Sequence, residues 1–346
     1  MKITYFYRNH KAGYSIKKVS DLYVNQMEDK EVFEMPSQYA SIKSILRNMW
    51  YTFKHRNKRG INHITGDIHY CIIPLMFCKT VLTIHDACVY DNSKGLKKLI
   101  MKLFWFKIPL LLATRVVCIS ENTKKSIARF TNRKDVQVIY NAIDPNFNYS
   151  PIEFKKHCPN ILLIGTSWNK NVERTMIALK NINCKVTIIG KLTMPQMKAI
   201  QECNISLTNL ADLTDAEIIQ EYNKADIISF CSEYEGFGMP IIEANATGRA
   251  VITSNLPPMT EIGGKAAYYV NPFNVDNIRQ NIIKIINDDK TRNEHIVLGL
   301  ENTKRFSLSN IVAQYKELYN SIVIQENQTA ENIWEKQLIF TQVEQI

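Results

Sequence analysis

Short apolar runs alternate with segments of helical periodicity along almost the whole chain. Ala225–Cys231 and Thr80–Ile84 are aliphatic, a few residues long and followed by polar turn residues. Such runs are typical of strands buried on both faces of a parallel sheet. The segments between them repeat apolar residues at the spacing of an amphipathic helix. This strand–helix alternation predicts a doubly wound α/β architecture.

The predicted strands are Ile3–Tyr7, Ile68–Ile72, Thr80–Ile84, Arg115–Ile119, Val136–Ile139, Asn160–Gly165, Lys185–Ile189, Ile205–Leu207, Ala225–Cys231, Ala250–Thr253 and Ala267–Val270. The predicted helices are Ile16–Met27, Ala40–Phe53, Leu96–Leu112, Thr123–Phe130, Val172–Leu179, Met194–Cys203, Asp215–Tyr222, Pro240–Ala246, Val275–Asn287 and Ser307–Ile324.

The pattern divides the chain into two units. The turn-rich exit that begins at Asn141 and the linker 149–159 separate one alternating series from the next. A chain of 346 residues suits two domains, each with its own core. We therefore expect Rossmann-like domains over residues 1–150 and 151–325, followed by a tail over 326–346 that could dock as a helix. Two such domains would face each other across a cleft at the carboxyl ends of their strands.

Charge is distributed unevenly between these units. Residues 1–150 contain 24 lysines and arginines against 11 aspartates and glutamates, a net of +13, whereas residues 151–346 contain 19 against 22, a net of −3. A basic first half implies an anionic partner: nucleic acid, anionic lipid or an acidic acceptor. Nucleic acid is the weakest of these, because no recognition element for it is present.

The basic helix over residues 94–107 favours a lipid surface. Lys94, Lys98 and Lys102 share one face with Lys97 beside it, and Leu96, Leu99, Ile100 and Leu103 fall opposite. This pattern suits either a helix on an anionic membrane or one packing its apolar face on the sheet, and we expect a combination of the two. The cluster Lys54–Arg59 adds further positive charge.

The sequence also bears on location. Met1-Lys2 leads directly into a strand pattern without a small-residue cleavage site, and the most apolar window, Leu103–Ala113, is too short to cross a bilayer. The eight cysteines contain no Cys-x-x-Cys pair and lie mostly in apolar strands, which favours free thiols in a reducing compartment. We expect a cytoplasmic protein, peripheral on the inner face of the cytoplasmic membrane.

The segment Glu233–Gly248 holds the densest candidate chemistry. It follows the predicted strand Ala225–Cys231, and its Gly236 and Gly238 permit a tight turn and close approach of backbone to a ligand. Pro240 suits the start of a helix, and Gly248 suits its end. A strand, a glycine turn and a helix N-terminus in succession bring free N–H groups and the positive end of a helix dipole together, which predicts an anion site.

Two carboxylates, Glu235 and Glu243, flank this predicted anion site. We place Glu235 in the turn and Glu243 in the first helical turn, facing back over the helix mouth. An ordinary first-turn acid that stabilises its helix would explain Glu243 equally well. Paired carboxylates beside a phosphate site also suit the binding of sugar and ribose hydroxyls. A nucleotide-sugar would use both features.

Further polar residues follow other predicted strands. Lys170 and Asn171 close the Asn160–Gly165 strand, where the lysine would point to a diphosphate and the asparagine would cap a helix, although a solvated loop lysine fits as well. Leu210 lies in a loop that could offer backbone groups to a base or be a plain connection. His85 directly follows a strand and could donate a hydrogen bond to a sugar or transfer a proton. Gly13 follows the first strand and permits a flexible loop near the cleft.

Glu235–Pro240 and Glu243, joined to Lys170-Asn171 and His85-Asp86, resemble glycosyltransferase family 4. Its members are retaining, nucleotide-sugar-dependent enzymes of GT-B fold. The likeness covers about residues 1–325, and its most specific part is Glu-x7-Glu within Glu-Gly-Phe-Gly-x-Pro. The segment Asn141–Asp144 is similar to the family's Asn-Gly-x-Asp turn, with Ala142 in place of glycine.

The resemblance implies roles for these residues. Glu235 would contact the donor sugar, and backbone N–H groups from Phe237, Gly238 and Met239 would hold it near the phosphates. Glu243 would bind the ribose hydroxyls, Lys170 the diphosphate and His85 the sugar. Many members carry an arginine just after the glycine that matches Gly165, but Thr166 stands there in this chain. The leaving group would then depend on Lys170, the helix N-terminus and a further cation.

The expected reaction follows from the charges that develop. Breaking the anomeric C–O bond places negative charge on the diphosphate, which some enzymes offset with a metal held by Asp-x-Asp. This sequence contains no Asp-x-Asp, so Lys170 and the helix dipole are the available substitutes. We expect a metal-independent transfer without a cofactor, from a nucleotide-sugar to a glycan or lipid-linked acceptor; retention is implied by the resemblance alone. The alternatives are a sugar-nucleotide epimerase of similar architecture and a non-catalytic module that binds a sugar-nucleotide or membrane.

Overall fold

The computed structural model describes residues 1–13, 15–203 and 205–324, so the predicted tail lies outside the described residues. Two six-stranded sheets, parallel throughout, form the two halves of the chain. The strands of the first sheet are β1 (Ile3–Tyr7), β2 (Lys30–Glu34), β3 (Ile61–Ile64), β4 (Lys79–Ile84), β5 (Arg115–Cys118) and β6 (Gln137–Val138), in the order β2-β1-β3-β4-β5-β6. Those of the second are β7 (Asn160–Ile164), β8 (Lys185–Ile189), β9 (Ser206–Leu210), β10 (Ile227–Phe230), β11 (Ala250–Ser254) and β12 (Tyr268–Val270), in the order β12-β11-β10-β7-β8-β9.

Helices connect the strands on both faces of each sheet. They are α1 (Ser15–Val24), α2 (Ile42–Lys54), α3 (Cys88–Asp91), α4 (Gly95–Met101), α5 (Ile108–Leu112), α6 (Glu121–Ile127), α7 (Val172–Leu179), α8 (Met194–Cys203), α9 (Asp215–Lys224), α10 (Met239–Thr247), α11 (Met259–Gly263), α12 (Val275–Asn287), α13 (Asp289–Asn302) and α14 (308–324). The expected pair of doubly wound α/β sheets is confirmed. No described helix has the length and apolar character needed to cross a membrane.

The first sheet differs from the prediction at β2, which was not predicted, and at β3. The residues predicted as strand Ile68–Ile72 lie instead in a 3₁₀ helix, His69–Leu75, and the strand is β3, a few residues earlier. Its sequence Ile-Asn-His-Ile is half polar, yet all four residues are buried. His63 is accommodated because its two ring nitrogens bond the hydroxyls of Tyr319 and Thr83, at 2.8 Å each. Because distant side chains satisfy its polar groups, this strand can be buried although its sequence lacks the apolar run that predicts a buried strand.

The basic helix packs differently from the expectation. One continuous helix was predicted over Leu96–Leu112, but a π-helical turn at Lys102–Lys107 separates α4 from α5. The wider turn rotates Trp105 and Phe106 into the core. The apolar face that was predicted to pack is exposed instead, with Leu96 72% and Leu99 52% accessible.

The last helix returns to the first sheet. Helix α14, which the sequence placed in the second domain, packs against Tyr5 and Tyr23 through Tyr315 and Tyr319. The chain therefore crosses between the sheets twice, before β7 and before α14. The two crossings are bonded to each other, since the Ile143 N–H donates to the Phe306 carbonyl at 2.8 Å. This paired crossing positions one sheet edge opposite the other.

Candidate active site

The carboxyl ends of strands from both sheets meet across one cleft. His85 and Asp86 follow β4, and the loop Glu233–Gly238 follows β10. The two touch at Gly236: a methyl group added there would lie 3.1 Å from the His85 carbonyl oxygen and 3.3 Å from the Asp86 side chain. Any larger residue here would require the facing segment to shift by a few tenths of an ångström, which favours glycine. The structure thus brings together two segments that the sequence separates by about 150 residues.

Helix α10 opens onto this cleft. Gly238 precedes it with φ of +109°, a left-handed conformation that favours glycine, and Pro240 lies in its first turn. The helix ends at Gly248, as predicted. No described side chain caps the N-terminus. The Ile241 N–H bonds the Gly238 carbonyl at 3.0 Å and Pro240 has no N–H, so the Met239 N–H and the positive end of the helix dipole are what this helix offers an anion.

Lys170 and Glu235 form the centre of the site. The Lys170 Nζ lies 2.7 Å from Glu235 Oε1, and both side chains are largely buried. The lysine stem crosses Gly165, where an added methyl group would lie 2.9 Å from its Cε, and Nζ lies 4.5 Å from the centroid of the Phe230 ring. Asn169, which the sequence analysis overlooked, donates through Nδ2 to Glu235 Oε1 at 3.2 Å and to the Tyr234 carbonyl at 2.7 Å. The cation is therefore held in place by packing and by one acid.

Glu243 lies deeper in α10 than predicted. It is the fifth residue of the helix, one turn beyond the mouth, so the first-turn placement was wrong. The buried Tyr222 hydroxyl donates to Glu243 Oε2 at 2.5 Å. Burial raises the pKa of this carboxyl, while the bond from Tyr222 and the charges of Lys18 and Lys170 oppose that rise.

His85 lies at the carboxyl end of β4, beside the loop that follows β10. Its Nε2 is 2.8 Å from the Thr65 carbonyl oxygen, and because a carbonyl only accepts, Nε2 carries the proton. The other nitrogen, Nδ1, is then an acceptor. Burial lowers the pKa of the ring below its ordinary value. The expected donation from His85 to a sugar is corrected accordingly: Nδ1 can accept from a hydroxyl, and Nε2 is occupied.

Two predicted donor-binding residues are engaged within the protein. The Asn171 Nδ2 donates to the Cys231 and Pro272 carbonyls at 3.0 and 2.7 Å, so this side chain neither caps α7 nor has a free donor. The carbonyl of Leu210 accepts from the Gly190 N–H at 2.7 Å. Sequence reasoning placed both residues at the correct sheet edge, but their polar groups hold the loops of that edge.

The remaining predicted residues are Gly13, Phe237 and Met239. Gly13 has φ of +135° and lies directly over the guanidinium of Arg8, which pairs with Asp67 at 3.1 Å. Phe237 is buried beside Tyr140 and Phe306 at the crossings, so only its backbone can meet a ligand. Met239 begins α10.

Thr166 is no substitute for a cation. Its hydroxyl donates to the Lys191 carbonyl at 2.7 Å, and its own carbonyl accepts from Gln196. Charged residues that join the two domains were also missed from the sequence. Lys18 pairs across the cleft with Asp215 at 2.7 Å, and Glu261 of the second domain accepts from the backbone N–H of Glu121 at 2.7 Å. No local pattern announces such contacts, because each joins residues far apart in the chain.

Comparisons with known proteins agree with this geometry. The family model described as glycosyl transferases group 1 matches residues 159–297, and the model of glycosyltransferase family 4 matches residues 35–147. The chain is 27% identical over 274 residues to the O-antigen chain mannosyltransferase RfbU of Salmonella typhimurium, covering 76% of this chain and 74% of that protein. It is 25% identical over 270 residues to the O-antigen biosynthesis glycosyltransferase WclY of Escherichia coli, covering 71% and 72% respectively.

Solved structures share the architecture at low sequence identity. Sucrose-phosphate synthase from Thermosynechococcus elongatus superposes with a TM-score of 0.79 at 14% identity, covering 94% of this chain and all of that one. HepE from Anabaena, solved with UDP and glucose, superposes with a TM-score of 0.71 at 14% identity, covering 93% and all respectively. Fold and site define a two-domain glycosyltransferase of GT-B type. The chain belongs to glycosyltransferase family 4.

Proposed function

We propose that this protein is a retaining hexosyltransferase that moves a sugar from a nucleoside-diphosphate-sugar to a glycan or lipid-linked acceptor, without a metal, in the synthesis of a cell-surface polysaccharide or glycolipid. The observation that carries the proposal is the ion pair of Lys170 and Glu235 beside the uncapped α10 N-terminus, facing His85 across the cleft. A cation and a helix dipole suit a diphosphate, and an adjacent carboxylate suits sugar hydroxyls.

The donor would lie along the mouth of α10. Its diphosphate would meet Lys170 and the free N–H groups from Phe237 to Met239, its ribose the Glu243 carboxylate, and its sugar Glu235 and His85 Nδ1. Tyr222 occupies Oε2 of Glu243, which leaves Oε1 for a ribose hydroxyl. Support comes from HepE, a structural neighbour that binds UDP and glucose, and from relatives named as mannosyltransferases.

Transfer requires stabilisation of the departing diphosphate. Lys170 and the α10 dipole offset its developing charge in the absence of an Asp-x-Asp metal site. Hydrogen bonds from Lys170 and Asn169 fix the position of the Glu235 carboxylate, which supports a role for this carboxylate in holding the sugar. The acceptor hydroxyl would attack from the face that the diphosphate leaves, and the configuration at the anomeric carbon would be retained.

An anionic membrane surface is the proposed location of the acceptor. Helix α2 exposes an apolar stripe of Ile42, Leu46, Trp50 and Phe53, with Ile42 79% and Trp50 62% accessible. The Lys54 Nζ lies 5.5 Å from the Trp50 ring. Leu96 and Leu99 of α4 are likewise exposed, on a helix that also carries Lys97 and Lys98. Apolar side chains flanked by cations suit peripheral binding to anionic headgroups on the cytoplasmic membrane face.

Sedimentation with vesicles tests this membrane contact. Vesicles containing phosphatidylglycerol should bind the protein, and pure phosphatidylcholine should not. The double variant Leu46→Ser/Trp50→Ser should lose binding, whereas Val297→Ser, which removes an exposed apolar side chain from α13, should keep it. Equal sedimentation of both variants would refute the membrane role of α2.

A panel of UDP-, GDP- and ADP-sugars tests the donor proposal by thermal shift. The true donor should stabilise the protein in proportion to its occupancy, and Glu243→Ala should reduce that shift. Product analysis should find the anomeric configuration retained, and transfer should persist in EDTA. An inverted product or complete loss in EDTA would overturn the corresponding part of the proposal.

The comparisons favour transfer over the two alternatives, because the relatives are named as transferases. Release of an epimerised nucleotide-sugar without acceptor would favour an epimerase. Tight donor binding with no turnover on any acceptor would favour a binding module, for which Thr166 is the supporting observation.

A further inference from the structure

A buried arginine, Arg249, joins two helices of the second domain. It directly follows Gly248 at the end of α10 and is only 2% exposed. Each acceptor that the structure gives its guanidinium is a backbone carbonyl. Nε donates to Tyr222 at 2.9 Å, Nη2 to Asn223 at 2.9 Å, and Nη1 to Ser150 and Thr247 at 2.7 Å each and to Gly248 at 3.3 Å. The proposed reaction gives this arginine no role.

The five carbonyls belong to the ends of two helices and to the linker between the domains. Tyr222 and Asn223 lie in the last turn of α9, Thr247 and Gly248 end α10, and Ser150 lies in the linker. The last carbonyls of a helix carry the negative end of its dipole and favour a cation. A guanidinium can donate to several of them at once, because its five N–H groups spread in a fixed plane. Arg249 therefore fixes the end of α9 against the end of α10.

Tyr222 connects this junction to the donor region. Its carbonyl accepts from Arg249, and its hydroxyl donates to Glu243 Oε2 at 2.5 Å. The side chain is fully buried, and its ring packs edge-on against Phe147 with the ring centroids 5.2 Å apart. The packing of the ring and the bond to the backbone both restrict where the hydroxyl can lie. One residue thus links the buried cation to the carboxylate that the donor ribose would meet.

We propose that Arg249 and Tyr222 are positioning residues for the donor. Arg249 fixes the end of α9 against α10, and the Tyr222 hydroxyl then holds the Glu243 carboxylate in the orientation that binds ribose. The inference rests on the proposed function, in which Glu243 binds the ribose hydroxyls. An acceptor group that is already oriented binds its ligand more tightly, because less conformational freedom is lost on binding. The two residues act on the donor through Glu243.

The ionisation of Glu243 gives this role a distinct signature. Burial raises the pKa of the carboxyl, and the bond from Tyr222 opposes that rise. The charges of Lys18 and Lys170 also oppose it, whereas Asp144 raises the pKa further. Loss of the Tyr222 hydroxyl should therefore raise the pKa of Glu243 beyond its wild-type value. Because the ionised carboxylate is the stronger acceptor, donor affinity should begin to fall at a higher pH in Tyr222→Phe than in the wild type.

Calorimetric titration of the full chain from about pH 5 to pH 8, where a raised carboxyl pKa would titrate, tests this role. The probe is the UDP-, GDP- or ADP-sugar that gives the wild type its largest thermal shift. Tyr222→Phe should bind it about three- to tenfold more weakly at the upper end of that range, and its affinity should begin to fall at a higher pH. The matched control is Tyr268→Phe, which removes a buried hydroxyl of the same domain that bonds no described residue. It should keep the wild-type affinity and pH profile.

Turnover and a second variant extend the test. A ribose contact is made both before and during transfer, so its weakening should appear in KM for the donor more than in kcat. Arg249→Lys keeps the charge but offers three N–H donors to five carbonyls, and it should weaken donor binding in the same direction. Tyr222→Phe decides the proposal if Arg249→Lys does not fold.

The proposal is wrong if Tyr222→Phe binds the donor as the wild type does, or binds it more weakly by the same factor at every pH, as a merely structural loss would. A folded Arg249→Lys with wild-type affinity would exclude Arg249 from the role. Glu243→Ala distinguishes these results from failure of the proposed function. If Glu243→Ala binds the donor as the wild type does, or if no nucleotide-sugar binds the wild type, the donor assignment fails and the inference fails with it.

Discussion

Replacement of Lys170 by methionine tests the centre of the site with minimal disturbance. The lysine stem crosses Gly165 and its ammonium group lies over Phe230, so methionine keeps the packing and removes only the charge. If Lys170 stabilises the departing diphosphate, its loss should lower kcat by about 10²–10³, equivalent to about 2.7–4 kcal/mol, as for other preorganised electrostatic groups.

The Lys170→Met substitution should also lower the stability of the fold, by an amount that differs from its effect on kcat. Glu235 is largely buried and would lose its cation but keep the bond from Asn169. Loss of the ion pair should lower the free energy of unfolding by about 2 kcal/mol, which is less than the cost of breaking a fully buried pair. In a domain of this size, that loss lowers Tm by about 4–8 °C. Adding Glu235→Gln removes the unpaired charge. The double variant should therefore recover stability without recovering turnover.

The assay is release of nucleoside diphosphate at saturating donor, measured beside Tm. The matched control is Lys191→Met on the same domain, whose exposed pair with Asp212 at 2.9 Å should contribute little to stability or rate. Turnover of Lys170→Met within a few-fold of wild type, together with a lowered Tm, would refute the catalytic role. Lys170 would then only hold the Glu235 loop.

Three further predictions concern Glu243, Gly236 and Glu261. Burial raises the pKa of Glu243 in the fold, so its ionised form destabilises the free protein above its ordinary pKa. Glu243→Gln should therefore raise Tm at pH 7 and weaken donor binding by about 1.5–3 kcal/mol. In the wild type, donor affinity should fall as the pH falls through the raised pKa of Glu243, and the variant should not show that fall. A lowered Tm would contradict this reasoning. Gly236→Ala, with its methyl 3.1 Å from the His85 carbonyl, should preserve donor thermal shifts but reduce turnover, and normal turnover would show that the loop can retreat. Glu261→Ala removes the carboxylate that accepts from two N–H groups of α6, while Ser120 still caps the helix, and should destabilise the protein by about 1 kcal/mol in thermal denaturation; an unchanged Tm would show that this contact adds nothing to stability.

Local chemistry made much of the site predictable. Helix α10 begins and ends close to the predicted positions. Its signals depend on backbone sterics alone: a glycine where φ is +109°, a proline in the first turn and a glycine at the end of the helix. Five predicted helices and strands, including Val172–Leu179 and Lys185–Ile189, match the structure residue for residue. Errors arose where polar residues occupied a strand, as in β3, or where a π-helical turn changed which face of the Leu96–Leu112 segment was buried.

The amino-acid sequence alone determined the two α/β units, the glycine turn before α10 and the excess of positive charge in the first half, because periodicity, turn chemistry and charge are local properties. Tertiary structure alone decided that Tyr222 holds Glu243, that Asn171 is consumed by backbone carbonyls, and that α14 returns to the first sheet. The physical reason is that hydrogen bonds and ion pairs depend on distances of about 3 Å between atoms whose residues are tens to hundreds of positions apart. Only the folded chain sets those distances.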